Sequence, residues 1–308
     1  MRVFVTGASG WIGSAVVPEL IGAGHRVTGL ARSDASAAAL VEAGAEVRRG
    51  TLDDFDDLAA AAAESDGVLH LAFKHDIAFA GDYRGAVAAD RRVIEVLGEA
   101  LAGSDRPLVI ASGLLGVTTG RVATEEDGLD PAEYPDGTLQ GRLATARATL
   151  DLASRGVRAS VVRLAPTVHG DGDNGFIAAL VGIARAKGVS GHLGDGAHRW
   201  PAVHRLDAAH LFRLALERAE AGSVLHAAAD EGVPLRAVAE VIGRHLDLPV
   251  AAVPAEGAGE HFGWLADFLR VDGPASSALT RERLGWRPTG PGLVDDLDEG
   301  HYFRAPSA

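Results

Sequence analysis

A glycine-rich loop stands between the first apolar segment of the chain and the helical pattern that follows. It reads Thr-Gly-Ala-Ser-Gly-Trp-Ile-Gly over residues 6–13. Glycines at this spacing let backbone N–H groups approach a pyrophosphate, and the amino terminus of the following helix adds partial positive charge. Because strand, loop and helix occur in the required order, the pattern predicts a dinucleotide site rather than a turn that only packs. The predicted contacts are Gly7, Ser9, Gly10, Trp11, Ile12 and Gly13.

The end of the second predicted strand bears on which dinucleotide is bound. Arg32 stands where an acidic residue would hold the ribose 2′-hydroxyl of NAD. The planar guanidinium of arginine suits a 2′-phosphate instead. We therefore predict NADP as the cofactor. Asp34, two residues further on, is the alternative ligand, and its use for a ribose hydroxyl would favour NAD.

The composition narrows the chemistry. The chain has 308 residues, no cysteine and a formal net charge of −13. These values exclude thiolate catalysis and argue against nucleic acid or an anionic membrane as partners. Although twelve histidines are present, those at 192, 198, 204 and 210 recur every six residues, which does not place them on one helix face. We predict no metal site.

The beginning of the chain and its apolar segments indicate a location. The first residues have the pattern of a strand rather than of a secretory leader. No apolar run is long enough to cross a bilayer. We expect a cytoplasmic protein.

Strand-like and helix-like segments alternate through the first half of the chain. The predicted strands are 3–6, 26–31, 46–48, 68–72, 107–112 and 157–164, and the predicted helices are 11–23, 34–43, 54–65, 85–102 and 139–155. Apolar strands that alternate with helices in this way indicate right-handed βαβ units, with helices on both faces of the sheet. The predicted fold class is therefore α/β, with the doubly wound parallel sheet of the Rossmann fold.

The alternation breaks after residue 164. Asp207 has the character of an N-cap. The predicted elements are a turn at 170–175, a helix at 176–187, a loop with at most a short strand at 188–198, a helix at 208–219, a strand at 224–227, a helix at 235–245, and irregular chain until 293–300. We predict a dinucleotide-binding domain over 1–168, to which 201–229 returns. A smaller, interleaved substrate lobe is predicted over 169–200 and 230–308.

Several segments resemble the extended short-chain dehydrogenase/reductase family, of the NAD(P)-dependent epimerase/dehydratase type. They are the loop at 6–13, VLHLA at 68–72, VVRLAPTVHG at 161–170, PAVHRLD at 201–207 and LGWRP at 284–288. The resemblance implies that the fourth strand lies under the cofactor and that the turn after the sixth strand lies beside the nicotinamide. Leu52, Ala72, Pro166, Thr167 and Val168 are accordingly further predicted cofactor contacts.

The catalytic signature of that family, Tyr-x-x-x-Lys, is absent. None of the three tyrosines stands four residues before either of the two lysines. Counting back from the sixth strand places Thr138 and Arg142 at the tyrosine and lysine positions. The resemblance implies that Arg142 keeps the contact to the cofactor ribose. Thr138 cannot replace a phenol, because the pKa of an aliphatic hydroxyl is too high for proton exchange near neutrality.

Other side chains are candidates for the missing proton donor. Lys74 directly follows the fourth strand, where partial desolvation would suit an acid or a clamp for an anion. Ser112 ends the fifth strand and could orient a substrate oxygen. We predict Lys74, Ser112 and Arg142 as catalytic. A solvated lysine and a hydroxyl that bonds local backbone are the alternatives, and His75 and Tyr134 are further candidates.

Side chains of the second lobe should line a substrate pocket. The candidates by position are His75, His169, Asn174, Phe176, Trp200, His204 and Trp264, each with ordinary packing as its alternative role.

The resulting hypothesis is an NADP(H)-binding oxidoreductase that reduces a small carbonyl compound with a non-standard proton donor. A nucleotide-sugar epimerase or dehydratase and a non-catalytic dinucleotide-binding sensor or scaffold are the alternatives. The family resemblance also implies a homodimer formed through the helices at 85–102 and 139–155.

Overall fold

A seven-stranded parallel sheet forms the centre of the molecule. The computed structural model describes residues 1–118, 120–128 and 141–304. The strands of this sheet are β1 (Arg2–Thr6), β2 (Arg26–Ala31), β3 (Glu46–Arg49), β4 (Gly67–His70), β5 (Pro107–Gly113), β6 (Arg158–Leu164) and β10 (Ser223–Ala227). Their order is β10-β6-β5-β4-β1-β2-β3, and every pairing is parallel. The prediction of a doubly wound α/β fold is confirmed.

Helices cover both faces of this sheet. They are α1 (Gly13–Gly22), α2 (Asp34–Glu42), α3 (Phe55–Glu64), α4 (His75–Phe79), α5 (Tyr83–Leu101), α6 (Gly141–Leu150) and, later in the chain, α8 (Arg205–Arg218). One core packs α1 and α8 on the sheet through residues such as Leu20 and Phe212. The other packs α3, α5 and α6 through Leu58, Leu97 and Ala146. The carboxyl ends of the strands therefore meet at one edge, where sites occur in this fold.

The rest of the chain forms a smaller unit beside that edge. Its strands are β7 (Thr167–His169), β9 (Arg199–His204) and β11 (Asp230–Pro234) in one sheet, and β8 (Ser190–Leu193) and β12 (Val250–Val253) in another. Its helices are α7 (Phe176–Lys187), α9 (Leu235–Leu246), α10 (Ala258–Phe262), α11 (Ala266–Leu269), α12 (Ala278–Leu284) and α13 (Leu293–Asp298). Ile177, Trp200 and Phe262 belong to a separate core that holds these elements together.

Three local predictions are wrong. Asp207 is not an N-cap: the helix begins at Arg205, and the ring of His204 accepts a hydrogen bond from the amide of Leu206. Strand β4 ends at His70 rather than at residue 72, because the chain turns away there to pass the glycine loop. The stretch from 246 to 292 is not irregular, since it contains β12 and three short helices whose few residues show no period.

Within the described ranges, no helix is both long and apolar enough to cross a membrane. The boundaries between a cofactor domain and a substrate lobe stay a prediction.

Candidate functional site

The glycine loop makes close backbone contacts that exclude larger residues. Gly7 has φ +68°, and a Cβ there would lie 2.7 Å from the amide nitrogen of Ala72. A Cβ on Gly13 would lie 2.1 Å from the carbonyl oxygen of Gly7. Ile12, the residue before α1, has an apolar side chain that cannot accept a hydrogen bond from the first amides of the helix. Close backbone packing of the loop and a helix start without a side-chain cap are features of pyrophosphate sites.

Trp11 fastens this loop to the second unit. Its indole N–H donates to the carbonyl oxygen of Val168 over 2.8 Å. The guanidinium of Arg205 lies 4.1 Å from the centroid of a Trp11 ring, and a Cβ on Gly172 would be 3.7 Å from the same side chain. Two predicted cofactor contacts, Trp11 and Val168, are thus directly bonded to each other.

A buried chain of hydrogen bonds supports the loop from below. His70 Nε2 lies 3.1 Å from Asp90 Oδ1, and His70 Nδ1 lies 2.7 Å from Thr6 Oγ1. Thr6 Oγ1 in turn accepts from the amide of Ala72 at 3.4 Å. Since the carboxylate can only accept, Nε2–H donates to Asp90 and the Thr6 hydroxyl donates to Nδ1. This chain fixes the ends of β1 and β4 relative to each other.

Charged pairs line the rim of the sheet edge beyond β2 and β3. Lys74 Nζ lies 2.7 Å from Asp53 Oδ1, and Arg32 lies 3.6 Å from a carboxylate oxygen of Asp76. The segment after β4 is therefore joined to the loops after β2 and β3. The side chain of Arg32 is 76% exposed, so its guanidinium is accessible to a ligand. Half-buried Leu52 lies beside this rim.

A second group of side chains gathers at the ends of β4 and β5. Arg142 donates to the carbonyl oxygen of Ala111 over 2.7 Å, and its guanidinium lies 4.2 Å from the centroid of Phe73. The rings of His75 and Tyr83 lie 5.0 and 6.1 Å from that of Phe73. Arg142, His75 and Tyr83 thus surround one ring.

Burial sets the protonation states in this group. Burial, followed by the positive charge of Arg142, lowers the pKa of His75. Burial raises the pKa of Tyr83, although Arg142 acts in the opposite direction. At neutral pH the histidine is therefore neutral and the phenol is protonated.

Ser112 lies close to this group in the fold. It is the second-last residue of strand β5 and follows Ala111, whose carbonyl oxygen accepts a hydrogen bond from Arg142. Ser112 is 4% exposed, and its hydroxyl oxygen makes no hydrogen bond to any described residue. A buried hydroxyl without a partner is uncommon, so Ser112 is a candidate to bind a ligand.

The second unit contributes histidines and aromatic rings. The ring of His169 lies 2.9 Å from Asp296 and 5.6 Å, between centroids, from the ring of His204. Burial is the main reason why the pKa of His204 is lowered. Phe176 packs between Trp200 and other aromatic rings. The remaining candidate, Asn174, is exposed on the turn before α7.

Ligating atoms of Asp296, Glu299 and His301 lie within 4.8 Å of one another. Because Asp296 already bonds His169, and exposed Glu299 is one of the three, the group does not point to a metal on its own.

Pro166 and Thr167 join β6 to the second unit, and the Thr167 hydroxyl donates to the carbonyl oxygen of Pro201.

Four residues that shape the site are not indicated by the motifs of the sequence. They are Phe73 and Tyr83 beside Arg142, and His70 and Asp90 beneath the glycine loop. The only signal in the sequence was a polar histidine inside an otherwise apolar strand. Thr138 and Tyr134 lie outside the described residues.

The fold and this sheet edge define a dinucleotide-binding α/β protein. The model of the NAD dependent epimerase/dehydratase family matches residues 3–228. The chain belongs to that family, and the resemblance drawn from its motifs is confirmed.

The similar proteins leave the reaction open. An uncharacterized protein of Schizosaccharomyces pombe is 49% identical over 98% of this chain and 100% of its own length. Another uncharacterized protein, from Saccharomyces cerevisiae, is 44% identical over 96% of this chain and 98% of its own length. The UDP-glucuronic acid 4-epimerase from Bacillus cereus, solved with UDP-glucuronic acid and NAD, has a TM-score of 0.74 at 17% identity over 98% of both chains. This last likeness shows the shared fold.

Proposed function

We propose that the protein is an NADP(H)-dependent oxidoreductase that reduces a small carbonyl compound. The observation that carries the proposal is the buried hydroxyl of Ser112, which has no partner among the described residues and follows Ala111, whose carbonyl oxygen holds Arg142. Both lie at the sheet edge that also holds the glycine loop. A hydroxyl donor and a fixed cation are what a carbonyl oxygen needs when negative charge develops on it.

The cofactor would be held by backbone and by Arg32. The cradle formed by Gly7 and Gly13 fits a pyrophosphate, because any Cβ there would collide with backbone. The exposed guanidinium of Arg32 lies 3.6 Å from a carboxylate oxygen of Asp76 and suits a 2′-phosphate. Bound there, NADPH supplies a hydride.

The residues around β5 then act on the substrate oxygen. Ser112 donates a hydrogen bond that orients the carbonyl, and Arg142, held by Ala111, stabilises negative charge on that oxygen. Lys74 stays a predicted proton donor. Its ammonium must first leave Asp53, to which it is bonded at 2.7 Å.

The test is NADPH consumption across a panel of aldehydes and ketones, with four variants. Ser112→Ala and Arg142→Ala should each lower kcat/KM by about 100- to 1000-fold, the range for loss of one oxyanion donor. Arg147→Ala is the matched control, because Arg147 lies on the same helix and pairs at the surface with Asp151. Lys74→Ala tests the proton donor. Unchanged turnover in Ser112→Ala and Arg142→Ala would contradict the proposed mechanism.

A second candidate follows from the family and from the shared fold with an epimerase of UDP-glucuronic acid. Epimerisation or dehydration of a nucleotide sugar would appear as a new sugar product without net NADPH consumption. Incubation with UDP-glucuronic acid and NAD, followed by chromatography of the products, distinguishes it from the reductase. A protein that binds NADPH but converts nothing in either assay would instead be a sensor or scaffold.

A further inference from the structure

Four aromatic side chains gather at one edge of the second unit. Between ring centroids, Phe176 lies 5.5 Å from Trp200, 5.5 Å from Trp264 and 5.0 Å from Phe268. Trp264 and Phe268 are also edge to face at 5.9 Å. The chain contains four tryptophans and nine phenylalanines, so two of each in this aromatic cluster are a marked concentration.

The aromatic cluster is graded from core to solvent. Trp200 is 1% exposed, and its indole N–H donates to the carbonyl oxygen of Val271. Phe176 and Phe268 are half-buried. Trp264 is 52% exposed. The buried member gives the cluster a rigid floor, while Trp264 presents a large apolar surface that an incoming molecule can cover.

Two segments next to this cluster lead toward the candidate site. The turn before Phe176 passes Trp11 of the glycine loop, since a Cβ on Gly172 would lie 3.7 Å from the Trp11 ring. Leu115, three residues beyond Ser112, packs against the same core as Phe176 and Phe268. The core that holds Phe176 and Phe268 is therefore also packed by the loop that follows Ser112.

Two arginines of the described ranges that lie near the cluster already have partners. Arg199 already makes a two-pronged pair with Asp272, with Nε and Nη2 at 3.1 and 2.9 Å from its carboxylate oxygens. Arg205 lies over Trp11 and donates to the Ser14 hydroxyl. A second diphosphate would need such cations for itself. Stacked and edge-on aromatic rings are instead the environment that binds an apolar ring.

We propose that the substrate is an aromatic aldehyde or ketone whose ring packs against Phe176, Trp264 and Phe268 while its carbonyl reaches Ser112. The proposal rests on the reductase function and adds a class of substrate to it. The aromatic cluster acts on binding, and the residues around β5 act on the carbonyl.

The kinetic test compares acetaldehyde with phenylacetaldehyde, which adds a phenyl ring. For the wild-type protein, kcat/KM should be at least about tenfold higher with phenylacetaldehyde. Trp264→Ala should remove about tenfold from that value, mainly through KM, and leave acetaldehyde reduction within about twofold. Trp264→Phe should restore most of the loss. Val41→Ala, which shortens an exposed side chain on α2, is the control. Equal loss for both aldehydes would overturn the proposal.

A binding measurement separates this inference from the reductase itself. Calorimetry with NADP⁺-loaded protein uses 2-phenylacetamide, which carries the ring but is not reduced, against acetamide. We expect 2-phenylacetamide to bind, about tenfold more weakly in Trp264→Ala. If 2-phenylacetamide binds in this way but no carbonyl compound is reduced, the proposed reductase function is wrong and the aromatic subsite is supported. If both aldehydes are reduced equally and 2-phenylacetamide does not bind, the aromatic subsite is wrong and the reductase function is supported.

Discussion

At the edge proposed for the cofactor the closest contacts within the protein are made by backbone, whereas at the edge proposed for the substrate they are made by side chains. Gly7 and Gly13 approach other backbone atoms so closely that no Cβ fits. The aromatic cluster instead draws Phe176, Trp200 and Trp264 from separate elements and leaves one ring half in solvent. We therefore expect that the glycine loop tolerates no Cβ at these two positions, and that exchange of side chains at the proposed substrate edge changes the specificity.

The largest expected effect is that of Gly13→Ala. Its Cβ would lie 2.1 Å from the carbonyl oxygen of Gly7, so the loop must shift and lose its fit to a pyrophosphate. We expect the Kd for NADPH, measured by cofactor fluorescence, to rise at least about 100-fold, or about 3 kcal/mol. Gly22→Ala in the same helix is the control, because its Cβ meets nothing within 4 Å. Unchanged NADPH affinity in Gly13→Ala would show that close backbone packing of the glycine loop is not needed to bind the cofactor.

The support beneath that loop gives the next effect. Asp90→Ala leaves buried His70 Nε2 without its acceptor, which should lower the free energy of unfolding by about 3 kcal/mol. Glu95→Ala is the control on the same helix, since Glu95 pairs with exposed arginines and should change stability by less than about 1 kcal/mol. Urea denaturation measures both. Equal losses would show that the buried chain does not hold the loop.

The two edges also differ in how far the sequence predicts them. The cofactor edge is local: strand, loop and helix follow one another within residues 2–22, so spacing alone indicates the arrangement. The sheet is predicted because apolar strands buried on both faces have a distinct composition.

The sequence does not predict the contacts among the side chains around Arg142. Arg142, Phe73 and Tyr83 come from different elements, and their contact depends on how α5 and α6 pack on the sheet. Asp207 shows the same limit, because the amides that its carboxylate binds belong to Thr289 and Gly290, far along the chain. Local cap preference could not foresee that partner.

A pH-dependent effect is expected where β10 meets α12. Burial, followed by the charge of Arg163, lowers the pKa of His226 from 6.5 to about 4. As the pH falls below 6.5, the unfolded chain binds a proton that the folded chain does not take up until about pH 4. The free energy of unfolding should therefore decrease, by about 2 kcal/mol between pH 7 and pH 5.

His226→Asn removes this titration and should flatten the dependence of stability on pH over that interval. Asparagine keeps a donor near the carbonyl oxygen of Ser276, which the His226 ring contacts at 2.8 Å. Urea denaturation at a series of pH values measures the slope. A variant that keeps the wild-type slope would assign the pH dependence to other groups.

The smallest effect concerns the choice between NADP and NAD, which we expect the side chain of Arg32 to decide. Arg32→Ala should weaken NADPH binding about tenfold, or about 1.4 kcal/mol, and leave NADH binding unchanged. Because Arg32 is exposed and its contact to Asp76 is long, that surface pair holds it weakly. Asp76→Ala should therefore have the opposite sign and strengthen NADPH binding slightly. Fluorescence titrations with both cofactors check this, and a wild-type preference for NADH would assign the ribose to Asp34 instead.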